Sequence, residues 1–507
     1  MTRQTPSGAT LNRMLIILVV LAAAWVRISL VSTARFMGDE ASSYEAALQI
    51  REGTSFPVLG PAVTGGVARV PGPLFYYLMS LSQFVSRSPE AANVEVAILG
   101  AASVGFVWAG VEALLGAFPA FVAALFTAFS PWAILSSDRI WSANGIFFLA
   151  SVAFWAAVKV SKVPHSRLIG LLAAVSVIMP QFHLSAPVIW LALLAVVLPH
   201  WRHLNYAWLG TGILIGTMTY MPYIFYELET GFANLGALRA ENVLQTGTMR
   251  SYKVVIYTFK FLTLDTTYFE RMGYWGGVGE RKLFQALLFG SDVRPFTLVG
   301  ALEVWVSIVV AAMTYCVAFV ERKRLDGVWS GLWVGVVADV ALMSITRKPF
   351  YPHYLTVMLP FIFALGGALG YWMERNRRVR YVCMPLLAVW CIGGVQSSVA
   401  ISRNLDYRNG LAVERHVIRL ILADARKERW QAGTEIGLSF GFPGAIEAYQ
   451  VLMRDSYHMP FEIVPSGRAV VRGGAAPEYS LEEARPGARV CLGPRLGGGR
   501  LVLCRER

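Results

Sequence analysis

Five ionisable side chains stand out because their surroundings are apolar or nearly uncharged. Asp39 and Glu40 lie in Phe36-Met-Gly-Asp-Glu-Ala-Ser-Ser-Tyr44, just after a long apolar run. Adjacent carboxylates at a helix start point in different directions, so one could accept a proton as general base while the other holds a cation or positions the first. A purely structural account competes, because the helix dipole favours acids at an N-terminus. Arg139, in Ser137-Asp138-Arg139-Ile140-Trp141, and the pair Arg347 and Lys348, ahead of Tyr351-Pro-His-Tyr354, suit an anion, most simply a phosphate. Snorkelling to lipid headgroups, or pairing of Arg139 with Asp138, is the competing account. His183, in Gln181-Phe-His-Leu-Ser185, and His353 are lone imidazoles more in keeping with hydrogen-bonded packing than with ligation. No pair of histidines has metal-ligand spacing on a helix. A protein-only zinc site is therefore not expected, whereas a divalent cation shared between Asp39 or Glu40 and a bound phosphate stays open.

The elements that must hold these residues follow from composition. Of 507 residues, 55% are hydrophobic and 15% charged, against roughly 25% charged in ordinary soluble domains, which excludes a water-soluble multidomain enzyme. With 46 Gly, 24 Pro and 5 Cys, collagen-like, disordered and disulfide-scaffold classes fall away as well. Apolar runs at 14–34, 92–114, 117–135, 142–158, 206–226, 296–320, 328–345, 353–373 and 380–400, with shorter ones at 167–179 and 187–199, are candidates to cross a bilayer. The first is too long for a signal-peptide core and lacks a convincing cleavage site, so it reads as an anchor. Residues 73–87 are expected as a helix lying at the outer interface, with Phe75, Tyr76 and Tyr77 at headgroup level. Eleven spans result, or twelve or thirteen if that segment or 254–264 crosses.

The formal charge of +13 is then mostly a matter of topology and calls for no nucleic acid. Arg3 and Arg13 precede the first span, so the N-terminus is expected in the cytoplasm. Alternation from there puts Lys159, Lys162, Arg167, Arg202, Arg322, Lys323, Arg324, Arg375, Arg377, Arg378 and Arg380 on the same side. The outer side holds loop 35–91, loop 227–295 and a soluble-looking C-terminal segment, 403–507. That segment is expected to be a small extracytoplasmic α/β domain, with helices at 411–427 and 445–453 and strands at 435–440, 461–464, 490–492 and 501–504. Domain one is then 1–402. Cys491 and Cys504 fall on two of these strands and could pair in an oxidising compartment or stay free. No Walker loop, GxGxxG after a strand or nucleophile elbow is present, which speaks against a nucleotide-powered pump or nucleotide-sugar enzyme.

These residues resemble a known family. Gly38-Asp39-Glu40 with Tyr44 after the first span is similar to the first outer loop of the GT-C glycosyltransferases. The nearest type is the polyprenyl-phosphate-sugar enzymes related to protein O-mannosyltransferases and lipid A aminoarabinose transferases, glycosyltransferase family 39/83. Gly72-Pro-Leu-Phe-Tyr-Tyr77 is similar to their interfacial GPL-x-Y helix. Ser130-Pro131 through Arg139, His183-Leu-Ser185 and Pro222-Tyr-Ile-Phe-Tyr-Glu227 fall where such proteins carry like elements, and His353-Tyr354 followed by Pro360 looks like their late HY…P span. The resemblance covers roughly 14–400.

The resemblance implies a sugar donor carried on a polyprenyl phosphate such as undecaprenyl phosphate, used in a bacterial-type inner (plasma) membrane on its periplasmic face. Asp39 then matches the expected general base, with Glu40 beside it. Arg139, Arg347, Lys348 and, in the interfacial segment, Arg69 would receive the donor phosphate. Aminoarabinose transferases place a Lys near Arg69 instead. Tyr44, Tyr76, His183, Glu227, Tyr351, His353 and Tyr354 would line the substrate pocket. The acceptor, a lipid, glycan or protein, is not legible. A transporter or flippase of a lipid-linked sugar intermediate is the alternative; a non-enzymatic scaffold leaves the Asp39–Glu40 and HY…P placements unexplained.

Overall fold

A computed structural model describes residues 6–63, 67–244, 252–265, 298–322, 324–325, 327–345, 352–430, 432, 434–440, 446–459, 461–465, 478–483, 492–496 and 501–505. Helix α1 (Pro6–Ile28) leads into α2 (Gly38–Glu52), which carries the two carboxylates in its first turn. Then come α3 (Leu74–Val85), α4 (Pro89–Leu115), α5 (Ala117–Phe129), α6 (Pro131–Leu135) and α7 (Ser142–Lys162). Next are α8 (Leu168–Ile178), α9 (Trp190–Val197), α10 (Tyr206–Met218), α11 (Met221–Glu229), α12 (Ala233–Leu244) and α13 (Tyr252–Lys260). The membrane part ends with α14 (Leu298–Glu321), α15 (Gly327–Ile345), α16 (Leu359–Ala364), α17 (Gly366–Arg375) and α18 (Arg377–Asn409).

Seven helical stretches among the described residues are long and apolar enough to cross a bilayer: Pro89–Leu115, Ser142–Lys162, Ala186–His203, Leu302–Glu321, Gly327–Ser344, Pro352–Arg375 and Arg377–Ser402. The chain is a multi-pass membrane protein. The other four apolar runs are helical too, as α1, α5 with α6, α8, and α10 with α11. Two of these are broken where proline intervenes, since proline offers no N–H to the helix: at Ser130-Pro131, and at Thr219-Tyr220 just ahead of Pro222. Within 73–87 the helix is α3, whose twelve residues are too few to cross a bilayer. Residues 254–264 yield only the nine-residue α13, too short to cross; Lys260 at its end pairs with Asp265.

Beyond α18 come α19 (Leu411–Lys427) and α20 (Ile446–Val451), the latter running into a π-helical turn, Leu452–Ser456. The expected boundary at 402/403 falls inside α18. Strands β1 (Glu435–Phe440), β2 (Glu462–Pro465), β3 (Glu478–Glu483), β4 (Leu492–Leu496) and β5 (Leu501–Arg505) form one sheet in the order β2-β1-β3-β5-β4. β1 runs parallel to β2 and β3, while β5 is antiparallel to β3 and β4. The middle strand, β3, was not among the expected strands. Its sequence, Glu-Tyr-Ser-Leu-Glu-Glu, is half acidic and leads into helix-favouring residues, and it becomes a strand through pairing remote in sequence, which buries Tyr479 and Leu481. The Tyr479 hydroxyl donates to Asp424 on α19 at 2.5 Å, tying helix to sheet. Cys491 lies outside the described residues.

Candidate active site

The site is assembled from three chain segments. The first is the turn from α1 into α2. Glu40 at the third residue of α2 accepts the backbone N–H of Met37 on one carboxylate oxygen (3.1 Å), a reciprocal cap that fixes its rotamer. Its other oxygen stands 3.5 Å from Nε of Arg139. Both side chains are almost fully buried, so they offset one another's desolvation. Asp39, one residue earlier, is exposed. Crowding by protein atoms raises its pKa above the ordinary carboxylate value; the Glu40 charge adds to this, and Arg35 and Arg139 oppose it.

The second segment is the 136–141 loop between α6 and α7, which presents Arg139. The Ile140 N–H donates to Asn93 Oδ1 (2.8 Å), and Asn93 Nδ2 donates to the Val31 carbonyl (3.3 Å), linking this loop to the end of α1. Asn144 Nδ2 donates to the Arg139 carbonyl (3.3 Å). Arg27, fully buried on α1, donates to Ser137 Oγ (2.9 Å) and to the carbonyls of Thr127 (3.0 Å) and Ala128 (2.9 Å) at the end of α5. Gly100 lets the loop approach this closely, because a Cβ there would lie 2.3 Å from that of Ser137. Asp138 is buried between these arginines, and burial pushes its pKa up to about 7 against the pull of Arg139.

The third segment runs from a hairpin into α3. Arg69 is held by its backbone: its N–H donates to Asn234 Oδ1 (2.7 Å) and its carbonyl accepts from Asn234 Nδ2 (3.0 Å). Its exposed guanidinium reaches the Tyr76 hydroxyl, which lies near Asp39. Burial raises the Tyr76 pKa to about 12, with Asp39 adding and Arg69 opposing. Gly72 starts this segment at φ +92°, with Gln181 packed where a Cβ would stand. Gln181 Oε1 in turn accepts the Leu74 N–H (3.4 Å) at the start of α3.

An aromatic wall continues from Arg139. Its guanidinium lies 4.9 Å over Trp141, which is 4.7 Å from the His353 ring. His183 stands 5.5 Å from His353 and 5.1 Å from Tyr354. The Ser185 N–H donates to His183 Nδ1 (3.2 Å), which puts the proton on Nε2, and desolvation lowers the His183 pKa to about 4, leaving the ring neutral.

Asp39, Glu40, Arg139, Arg69, Tyr76, His183, His353 and Tyr354 thus belong to one connected group. Two expected pocket residues are engaged elsewhere. Tyr44 is fully buried, its hydroxyl donating to the Arg87 carbonyl at 2.6 Å. Glu227 is buried and accepts the Leu235 N–H (3.0 Å) near the start of α12, which carries Asn234. Arg347, Lys348 and Tyr351 lie outside the described residues. Sequence reasoning missed Arg35, Trp141, Asn93, Asn234 and Arg27. Only Arg27 left a signal, as a charge inside an apolar run. Among the described residues, no three His, Cys, Asp or Glu side chains cluster as a metal site. The Asp39–Glu40 pair fits a cation poorly, since Glu40 is engaged by Arg139 and the Met37 N–H, and Arg35 and Arg139 act on Asp39.

No protein-family profile and no curated protein matches the sequence. Solved structures do match. ArnT from Cupriavidus metallidurans bound to undecaprenyl phosphate superposes with a TM-score of 0.59 at 13% identity, covering 97% of each chain. Its apo form gives 0.58 at 12% identity over the same shares. The likeness is one of fold, carried over nearly the whole length of both chains.

Proposed function

The chain has the GT-C fold, and on that premise we propose that it is an integral-membrane glycosyltransferase that moves a sugar from a polyprenyl-phosphate donor to an acceptor hydroxyl. The observation that carries this reading is the division of labour at the start of α2: Glu40 is committed to Arg139 and the Met37 N–H, while Asp39 is open and raised in pKa. A base of raised pKa is better matched to accepting a proton near neutral pH than an ordinary carboxylate.

In the proposed reaction the acceptor oxygen attacks the anomeric carbon in line and its proton passes to Asp39. The bond between that carbon and the phosphate oxygen breaks, inverting the configuration, and polyprenyl phosphate leaves. Arg139 and Arg35, which act on Asp39, and Arg69, which reaches Tyr76 beside it, would neutralise the charge growing on the phosphate. Arg347 and Lys348 are proposed for the same task on the charge argument made from sequence. Trp141, His353, Tyr354 and His183 offer ring faces for the sugar. No step is routed through a cation. The fold likeness to a protein crystallised with undecaprenyl phosphate supports the donor class. A bacterial-type inner membrane, with the α2 face outside the cytoplasm, is proposed on the distribution of basic loops in the sequence.

The test is transfer in detergent from a purified polyprenyl-phosphate sugar. Release of polyprenyl phosphate with formation of a glycosylated acceptor supports the reading. Movement of intact donor across vesicles without its consumption would support a transporter or flippase instead.

A further inference from the structure

Helix α2 has two sets of neighbours. Its first turn carries Asp39 and Glu40; the next carries Tyr44 and Glu45, which meet the C-terminal sheet region. Arg454, in the π-helical turn after α20, reaches Glu45 at 2.6 Å and is itself oriented by Asp455 (2.7 Å). Ser456, in the same turn, lies 3.4 Å from the Tyr44 hydroxyl. On the other side of the carboxylates, the chain leaving α1 is bound by the start of α19. The Leu411 N–H donates to the Ala34 carbonyl (3.0 Å) and the Ala412 N–H to that of Ser32 (3.0 Å), with a β-bridge between Arg35 and Gly410. Arg415 on α19 further pairs with Glu90 (2.6 Å) at the start of α4. The stretch holding both carboxylates is therefore gripped on each flank by residues more than 350 positions later in sequence.

We infer that the C-terminal sheet region positions the carboxylate of Asp39, with Arg454 acting through Glu45 and Ser456 through Tyr44. This rests on the proposed role of Asp39. An exposed pair such as Arg454–Glu45 adds little to global stability. Its effect is local, because a 15-residue helix transmits a displacement at its second turn to its first. Misplacing a reacting group by about 1 Å can cost up to about 10²-fold in rate. Arg454 and Ser456 are positioning residues, not catalytic ones.

The test uses the full-length protein in lipid nanodiscs. Arg454→Glu sets two acids against each other; Arg454→Glu with Glu45→Arg restores the pair reversed. The expected result is faster amide hydrogen exchange over 38–52 in the single variant, and a kcat lowered about tenfold with donor KM within about twofold. Both return towards wild type in the reversed pair. Unchanged exchange over 38–52 in the single variant overturns the inference, as does a loss that the reversed pair fails to restore. The exchange measurement needs no substrate, so it decides the positioning role even if no sugar transfer is found, whereas absence of transfer by the wild type would count against the proposed function.

Discussion

Glu40 and Arg139 form an ion pair 3.5 Å apart, from the first turn of α2 to the loop between α6 and α7, with both side chains almost fully buried. Breaking a buried pair from one side leaves a charge without its partner, at a cost of about 3–5 kcal/mol. Asp39 and Asp138, also near Arg139, offset part of this. Glu40→Gln should therefore lose about 3 kcal/mol, read as a lowered thermal midpoint in detergent. A midpoint equal to wild type would remove the pair from the architecture of the site.

The same substitution has a sign in pH. The Glu40 charge is one of the causes raising the Asp39 pKa, so its removal lowers that pKa. In the Glu40→Gln variant the acid limb of the transfer-rate profile should move to lower pH. A limb that stays in place would mean that Asp39 is not the titrating base.

Asp39 also bears on stability. A carboxyl whose folded pKa is raised contributes stability below its unfolded pKa, and that contribution is lost as pH rises through the folded value. Asp39→Asn should therefore be more stable than wild type at pH 7.5, and the gain should vanish below about pH 4. Asp138, with its pKa near 7, should behave alike: stability lost between about pH 4 and 7 in wild type is retained in Asp138→Asn. Thermal melts across that range check both signs.

Gly72→Ala places a Cβ at φ +92° and 2.3 Å from Gln181 Oε1. Strain of this kind costs on the order of 1–3 kcal/mol, and α3 would lose the cap that Gln181 gives Leu74. Reduced protease resistance around 67–85 is the expected readout.

Asn234→Ala removes both hydrogen bonds that fix the Arg69 backbone, each contributing about 1 kcal/mol. Because Arg69 is proposed to neutralise the charge growing on the leaving phosphate, kcat should fall several-fold. An unchanged kcat would remove Arg69 from that role.

What the sequence showed was set by local signals. Apolar runs of spanning length located the helices, and α19 (Leu411–Lys427) and β1 (Glu435–Phe440) fall where helical periodicity and a β-favouring run put them. Strand β3 was missed because its identity comes from partners remote in sequence, not from Glu478–Glu483 itself. At the site, the types and order of Asp39, Glu40 and Arg139 were visible, but which carboxylate stays open was not. That depends on Arg139 lying about a hundred residues away and on the Met37 N–H behind Glu40. The resemblance implied a place for Tyr44 in the pocket, yet five residues beyond Asp39 on a helix lies on a different face, towards Arg87 and Ser456.

The most direct test is Asp39→Asn measured beside wild type, with polyprenyl-phosphate affinity and sugar transfer followed on the same preparation. A positioned base contributes about 10²–10⁴-fold. Transfer should fall by at least that lower factor while the variant binds polyprenyl phosphate as tightly as wild type and unfolds no earlier. Transfer persisting near the wild-type rate would contradict it.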